Sequence, residues 1–453
     1  MTAAVDGPPR LAPWRPVQFL GSKVRSLEFI AEAARSVENT PGVVWDAFSG
    51  SSVVSQRLAV DGNAVWASDA LNSSAAFAGA LLGVNRPRDE NLHLMSLARR
   101  VLKAVTTGEP SPWDEWVQAE RALVVKGDGP GLLVLGGDLP QRWRPLPASE
   151  PLRALFRTSE VKAQSRDLWI DGLLTSVYAG TYFGVEQALM LERIRAGIDS
   201  VVGPYEQQDG WARNGLLTAL CHAASAAVFS PGKHFAQAHR IRSDKDLSFH
   251  GRRAVQDRSV DVGAVFVAAA GEVDRTAFHL QGRNLAESRL VEEAPLALLR
   301  ERGVRTVYAD PPYTAQQYSR FYHLLETLVS GVPPLLQLVD GKVTRGLYPT
   351  GRYLSPFSSR RQAPAAFEGL IQLARSAGAN VLISYSASRG SATGNARMVS
   401  LEQIVDLVRD AYGVPAVSVE QLDLRYRQFN NGDAEVEGRH DPEFLVIGRS
   451  HAR

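Results

Sequence analysis

The chain has a single cysteine, Cys221, in 453 residues, and this scarcity excludes a disulfide framework or a multi-cysteine metal site. It also lacks apolar runs near the roughly 18 residues that cross a membrane. The first residues, MTAAVDGPPR, have neither the basic start nor the apolar core of a signal peptide. These absences predict a cytoplasmic protein without a membrane partner.

Net charge is also nearly absent, since 50 Lys and Arg face 48 Asp and Glu. Affinity for a nucleic acid must therefore come from local patches of positive charge. The histidines show no metal-ligand spacing, so no metal site is predicted. The length and the 45% hydrophobic content suit two or three domains with large buried cores.

The most informative stretch runs from Val304 to Tyr313. Its apolar, β-branched start predicts a buried strand of a parallel sheet. Pro311 and Pro312 cannot donate to a strand ladder, so the strand must stop before them. The sequence thus predicts that Asp310 and Tyr313 lie at the carboxyl edge of a sheet, where open α/β folds bind ligands.

Asp-Pro-Pro-Tyr (Asp310–Tyr313) resembles the catalytic motif of methyltransferases that act on adenine N6. An exocyclic amine is a poor nucleophile because its lone pair is delocalised into the ring. A carboxylate and a rigid carbonyl that accept its hydrogens favour a reactive, tetrahedral nitrogen, and a tyrosine ring can stack on an extruded base. The alternative is a strand-end turn that only packs.

Two strands near the amino terminus predict a nucleotide-type cofactor site. Residues 42–54 read as a strand, a tight small-residue turn and a helix, and residues 63–69 as a second strand ending in Asp69. Asp46 and Asp69 are 23 positions apart, which suits a strand–helix–strand unit. In nucleoside-binding folds, an acid at the second strand end holds ribose hydroxyls. An ordinary crossover is the alternative.

A turn before these strands, Gly21-Ser22-Lys23, opens a helical segment and offers backbone N–H groups and a cation to an anionic ligand. The alternative is a helix cap with a solvated lysine. Farther along, Phe321 is expected in a core, and for Tyr318 and Tyr322 a core position is one open interpretation. The loop at 341–361 is rich in Gly, Pro, Ser and Arg and is long enough to act as a lid or a DNA clamp.

Helical patterns dominate residues 71–295, and one segment there is basic. Between Lys233 and Arg258 there are seven Lys or Arg and three Asp, which makes this segment the best candidate for a phosphate-contacting surface. A solvated charged loop is the alternative. The apolar run Ala264–Ala268 is predicted to be a short strand. The candidate DNA-binding residues are Lys233, His234, Arg240, Arg242, Arg252 and Arg253.

Five motifs in order resemble Dam-type N6-adenine DNA methyltransferases: Phe19–Lys23, Asp46–Gly50, Asp69, Asp310–Tyr313 and Ser384–Ser386. The stretches at 179–183, 232–235 and 317–327 resemble the branch of the FokI modification methylase. The resemblance implies catalytic roles for Asp310, Pro311, Pro312 and Tyr313. It implies contacts to S-adenosylmethionine from Phe19, Gly21, Ser22, Lys23, Asp46, Phe48, Ser49, Gly50 and Asp69.

The implied fold is α/β: a Rossmann-like, S-adenosylmethionine-dependent methyltransferase domain with an inserted, mainly helical target-recognition domain. We expect a cofactor half at 15–84, a DNA-binding region at 85–295 and a catalytic half at 296–453. Double-stranded DNA is the expected partner, with a restriction or defence-system protein as a further one. The family's turn carries glycine where this chain has Ser52, and its strand end often reads Ser-Tyr-Asn, where this chain has Ser386.

Two alternatives to a DNA adenine methyltransferase stay open at this point. The first is an RNA adenine methyltransferase, which would carry out the same methyl transfer on RNA in place of DNA. The second is a DNA-binding module with a degraded cofactor site, which the serine at position 52 motivates.

Overall fold

A seven-stranded sheet forms the centre of the protein. The computed structural model describes residues 12–87, 92–106, 110–203, 210–239, 241–280, 282–386, 396–422, 425–426, 439–440 and 442–450. The strands in chain order are β1 Val43–Asp46, β2 Ala64–Asp69, β3 Leu285–Ser288, β4 Val304–Ala309, β5 Leu338–Val339, β6 Lys342–Val343, β7 Asn380–Ser386, β8 Val417–Leu422, β9 Arg425–Tyr426, β10 Arg439–His440 and β11 Glu443–Gly448.

The strand order in the sheet is β3-β2-β1-β4-β7-β11-β8, while β5 pairs with β6 and β9 with β10 in two small ribbons. Strands β3, β2, β1, β4 and β7 run parallel, and β11 is antiparallel to both β7 and β8. The order reverses between β1 and β4, so this is the switch point at which α/β sheets bind ligands. The predicted α/β fold with a mostly parallel sheet is confirmed.

The helices surround this sheet and build a second layer beside it. They are α1 Leu27–Val37, α2 Val53–Val60, α3 Asn72–Leu81, α4 Leu94–Thr106, α5 Asp114–Lys126, α6 Gly129–Asp138, α7 Glu150–Ser165, α8 Val185–Val202, α9 Gly210–Ala227, α10 Asp244–Arg258, α11 Val262–His279, α12 Leu296–Glu301, α13 Tyr318–Phe321, α14 His323–Ser330, α15 Ala363–Ser376 and α16 Leu401–Tyr412. None of these helices is both long and apolar enough to cross a lipid bilayer.

Helices α4 to α11 lie between α3 and β3 in the chain, and they pack onto the sheet through α3 and α14. One continuous core joins Phe77 of α3, Leu217 of α9, Phe266 of α11 and Leu325 of α14, all of them almost fully buried. Arg195 of α8 ties the same layers together, because its buried guanidinium donates to the carbonyl oxygen of Leu328 at 2.7 Å. Apolar and polar contacts therefore fix helices α4 to α11 to α3, α14 and the sheet.

The strand predicted at Ala264–Ala268 is wrong, since these residues belong to α11. Asp261 caps the helix by accepting a hydrogen bond from the N–H of Ala264, and alanines continue the apolar run. An N-cap followed by an alanine-rich run stabilises a helix more than a strand, which explains the error. The predicted terminal strand pair is confirmed as β8 and β11, whereas its tip at 428–432 lies outside the described residues.

Candidate active site

Three carboxylates converge where the parallel strands end. Asp46 ends β1, Asp69 ends β2 and Asp310 follows β4, and all three line one cavity at the switch point. Phe48, Gly21, Ser22 and other residues of the predicted cofactor set line the same cavity. Parallel strands put their carboxyl ends on one edge, which is why residues so distant in sequence meet there.

The turn after β1 approaches β2 closely. Asp69 accepts a hydrogen bond from the N–H of Gly50 at 2.9 Å and another from the N–H of Leu71, also at 2.9 Å. A Cβ at Gly50, whose φ is +49°, would lie 2.9 Å from the ring of Phe19. Ser52 adopts φ +62°, the left-handed geometry that glycine adopts without strain. The turn therefore keeps a glycine-like shape with serine, at a cost of about 1–2 kcal/mol.

Asp46 is buried and Asp69 is partly buried, and both acids have altered pKa values. Burial raises the pKa of Asp46 to about 7, against the opposing hydrogen bond from Ser55, and the nearby Asp310 carboxylate raises it further. Burial also raises the pKa of Asp69 to about 6. One oxygen of Asp46, Oδ1, is buried without a partner among the described residues. Such an oxygen at a cavity wall is suited to accept from a ligand.

Two tyrosines of the 317–327 stretch hold the Phe19–Lys23 motif over the carboxyl edge of the sheet. The ring of Phe19 stacks on Tyr322 with centroids 4.3 Å apart and planes 5° apart. The N–H of Leu20 donates to the Tyr322 hydroxyl at 2.7 Å, and the Tyr318 hydroxyl donates to the Leu20 carbonyl at 3.2 Å. Phe321 is buried, which confirms its predicted core position, and Tyr322 is buried as well, while no sequence pattern indicates the contact of its hydroxyl.

Lys23 connects Asp310 to a residue that the sequence motifs do not include, Glu443. The Lys23 ammonium lies 2.9 Å from Oδ1 of Asp310 and 3.0 Å from Oε1 of Glu443. Glu443 begins β11, is 1% exposed and also accepts from the Ser384 hydroxyl at 2.9 Å. The cation that the sequence assigns to the cofactor is thus already shared between two carboxylates.

The charges in this network perturb one another. Burial lowers the pKa of Lys23, but Asp310 and Glu443 together outweigh that effect, and the pKa is raised well above its usual value. Burial raises the pKa of Asp310 although Lys23 opposes it, and the neighbouring Glu443 raises it further. The Oε2 atom of Glu443 is buried with no partner in the described part of the chain. One lysine therefore serves two acids, of which Glu443 is shielded from water and Asp310 is 20% exposed.

Tyr313 is held in place from the β7 side. The Arg397 guanidinium lies over the Tyr313 ring, 4.5 Å from the ring centroid. It also donates two hydrogen bonds to Ser386, one to the backbone carbonyl at 2.6 Å and one to the side-chain hydroxyl at 3.1 Å. The ring of Tyr385 is 5.5 Å from that of Tyr313. Ser386, which departs from the family pattern, thus positions an arginine over the motif tyrosine.

The predicted DNA-binding residues do not form a uniform group. The Lys233 ammonium donates to the carbonyls of Ala226 and Val228 and pairs with Asp257, so its three hydrogens are taken at the end of α9. Arg253 pairs with the same Asp257.

Of the other members, His234 packs edge-on against Phe321, with ring centroids 5.1 Å apart. Arg242 and Arg252 are exposed, and Arg240 lies outside the described residues. A DNA-contacting role for this set stays a prediction. No group of three or more metal-ligating side chains occurs in the described residues.

Comparison with known proteins gives one informative similarity. The chain is 33% identical over 149 residues to "Modification methylase LlaI" from Lactococcus lactis subsp. lactis. The match covers 33% of this chain and 21% of that relative, so it spans about a fifth of the relative's length. No family model matches, and no solved structure matches.

Proposed function

We propose that this protein is a DNA methyltransferase that transfers a methyl group from S-adenosylmethionine to adenine N6. The observation that carries the proposal is the convergence of Asp310 and Pro312 with Asp46 and Asp69 around one cavity at the switch point. The similarity to a modification methylase supports methyl transfer in a restriction-modification or DNA-marking role. The finer assignment, Dam-type and of the branch of the FokI methylase, rests on the motifs.

The cavity has the features that S-adenosylmethionine requires. Among the residues that line it, the buried polar atoms without partners in the described part of the chain include Oδ1 of Asp46 and the hydroxyls of Ser22 and Ser49. Asp69 lies at the position expected to hold ribose hydroxyls, and Gly50 lets the backbone approach a ligand beside Phe19. When bound, S-adenosylmethionine would supply a methyl group activated by its sulfonium charge.

The chain's own residues then prepare the target nitrogen. Lys23 occupies Oδ1 of Asp310, which leaves Oδ2 to accept a hydrogen from the exocyclic amine. The Asp310 side chain is 20% exposed toward the cavity, so an extruded base can reach it. Pro311 fixes the backbone at this strand end, and Tyr313, steadied by Arg397, offers a ring for stacking. Positioning then supplies much of the rate.

The test is methyl transfer from labelled S-adenosylmethionine to mixed genomic DNA and, in parallel, to total RNA, followed by nucleoside mass spectrometry. Labelled N6-methyladenine supports the proposal, and sequencing of the modified DNA gives the site. Label in RNA alone would replace DNA with RNA as the substrate. Calorimetry that detects no S-adenosylmethionine binding would favour the DNA-binding module with a degraded cofactor site.

Cofactor affinity is expected to rise with pH between 5.5 and 7. Asp46 and Asp69, with pKa values of about 7 and about 6, must lose protons before they can attract a cationic ligand. If binding requires one of these carboxyl groups to lose its proton, the association constant for S-adenosylmethionine should increase by about tenfold per pH unit at pH values below the pKa of that group. Isothermal calorimetry at pH 5.5, 6, 6.5 and 7 measures this slope.

The matched variant for that experiment is Asp46→Asn, which keeps the shape of the side chain and removes its titration. It should flatten the slope above pH 6, where Asp69 is mostly ionised. An affinity for S-adenosylmethionine that does not change over this pH range in the unmodified protein would contradict the prediction.

A further inference from the structure

Two arginines share one tyrosine ring at the rim of the cavity. The guanidinium carbon of Arg320, on α13, lies 5.1 Å from the centroid of Tyr348, and that of Arg352 lies 4.9 Å from it. The Tyr348 hydroxyl accepts from Arg320 at 3.2 Å and donates to the carbonyl of Ala236. The ring is buried and fixed, so both cations are held close together by a rigid support.

These two positive charges have no carboxylate ion pair within the part of the chain that the structure describes. Arg352 donates only to neutral oxygens, at 3.2 Å to the Pro349 carbonyl, 3.3 Å to the Ser319 hydroxyl and 3.4 Å to the Gln337 amide. Burial lowers the pKa of Arg352, and the charge of Arg320 lowers it further. A pair of like charges held together in this way is stabilised by an anion.

The arginine pair lies close to the catalytic cavity. Ser319, whose hydroxyl Arg352 contacts, lines the cavity together with Tyr318 and Tyr353. Arg352 precedes Tyr353 in the chain, and Arg320 follows Ser319. A nucleotide that rotates out of a duplex stays attached to its two phosphates, which must then lie near the mouth of the pocket. Arginine suits these phosphates because its planar guanidinium donates in a fork.

We propose that Arg320 and Arg352 form a clamp that binds backbone phosphates flanking the extruded target nucleotide. The proposal rests on the proposed function and deepens it, because it assigns the binding of the substrate's backbone phosphates to the 341–361 loop and α13. It differs from the basic segment at 233–258, in which Lys233 and Arg253 are neutralised by Asp257. Phosphate contacts of this kind set the register of the duplex and carry no base information.

The test is the salt dependence of binding to a fluorescent DNA duplex, measured by anisotropy with and without S-adenosylmethionine. Arg320→Gln and Arg352→Gln should each weaken binding by about 5- to 10-fold and reduce the slope of log K against log salt by about one. Arg320→Lys keeps the charge and should keep most of the slope. Arg409→Gln removes an arginine from α16 and should leave both quantities unchanged.

An unchanged slope in Arg320→Gln would overturn the clamp, and so would an equal loss in Arg409→Gln. Because Arg320 is exposed, its substitution should not disturb folding, which circular dichroism checks. Binding does not require methyl transfer, so the clamp and the proposed function can fail separately. A reduced slope on RNA of the same sequence, without DNA binding, would support the clamp and overturn DNA as its substrate.

Discussion

Asp310→Asn is expected to lower the methyl-transfer rate by about 10²- to 10³-fold, the usual cost of removing a group that interacts with the reacting atoms in the transition state. The asparagine keeps the shape but lacks the charge that draws the amine hydrogen. Lys23 would still pair with Glu443, so the network would become neutral and should stay folded. Single-turnover transfer to a duplex with saturating cofactor measures the chemical step.

Two further measurements make this result specific to the reaction. S-adenosylmethionine affinity and the urea unfolding midpoint should change little in Asp310→Asn. Asp406→Asn, on α16, removes a carboxylate from a surface helix and should retain the full rate. If Asp310→Asn transferred methyl groups within a few-fold of the unmodified rate, Asp310 would have no role in the reaction. The interpretation of Asp-Pro-Pro-Tyr as a catalytic motif would then also be wrong.

Lys23→Met should have the largest effect on stability, about 3–5 kcal/mol of unfolding free energy. Its ammonium is the shared partner of Asp310 and of the buried Glu443. Without it, two neighbouring carboxylates must either repel each other in a poorly solvated place or bind a proton. Urea unfolding at pH 7.5, followed by circular dichroism, measures the loss.

The loss should depend on a second site and on pH. In the Lys23→Met background, Glu443→Gln removes one of the two uncompensated charges and should restore part of the stability, so the two effects are not additive. Burial raises the pKa of Asp310 and Lys23 opposes this effect, so without the lysine Asp310 should bind a proton more readily and the destabilisation should shrink as the pH falls toward 5. Simple additivity in the four-variant cycle would show that Lys23 and Glu443 do not interact.

The sequence was most informative where short motifs coincide with strand ends. Asp46, Asp69 and Asp310 each follow or end an apolar run, and a parallel sheet necessarily gathers such ends on one edge. Their meeting at one cavity could therefore be predicted from local patterns.

Other parts of the site depend on tertiary contacts that no local pattern encodes. Glu443 reaches the edge only because β11 runs antiparallel to β7, so that the beginning of this strand lies where the neighbours end. Tyr318 and Tyr322 are four residues apart, and this spacing fits two tyrosines that pack in a core as well as two tyrosines that hold Leu20 by hydrogen bonds. Arg352 precedes Tyr353 in a loop, and nothing in its neighbours predicts that it meets Arg320 over Tyr348.

The link between Lys23 and Glu443 joins an early residue to a late one, and this has a consequence for biosynthesis. During translation, the amino-terminal helix and β1 emerge long before β11, by on the order of a minute at usual elongation rates. Throughout that interval the lysine lacks Glu443, and β7, which is made within it, lacks its outer neighbour until β11 follows. A nascent or truncated chain ending before Glu443 would thus carry every recognisable motif and yet have an unfinished catalytic centre, so activity would begin only once β11 has been made.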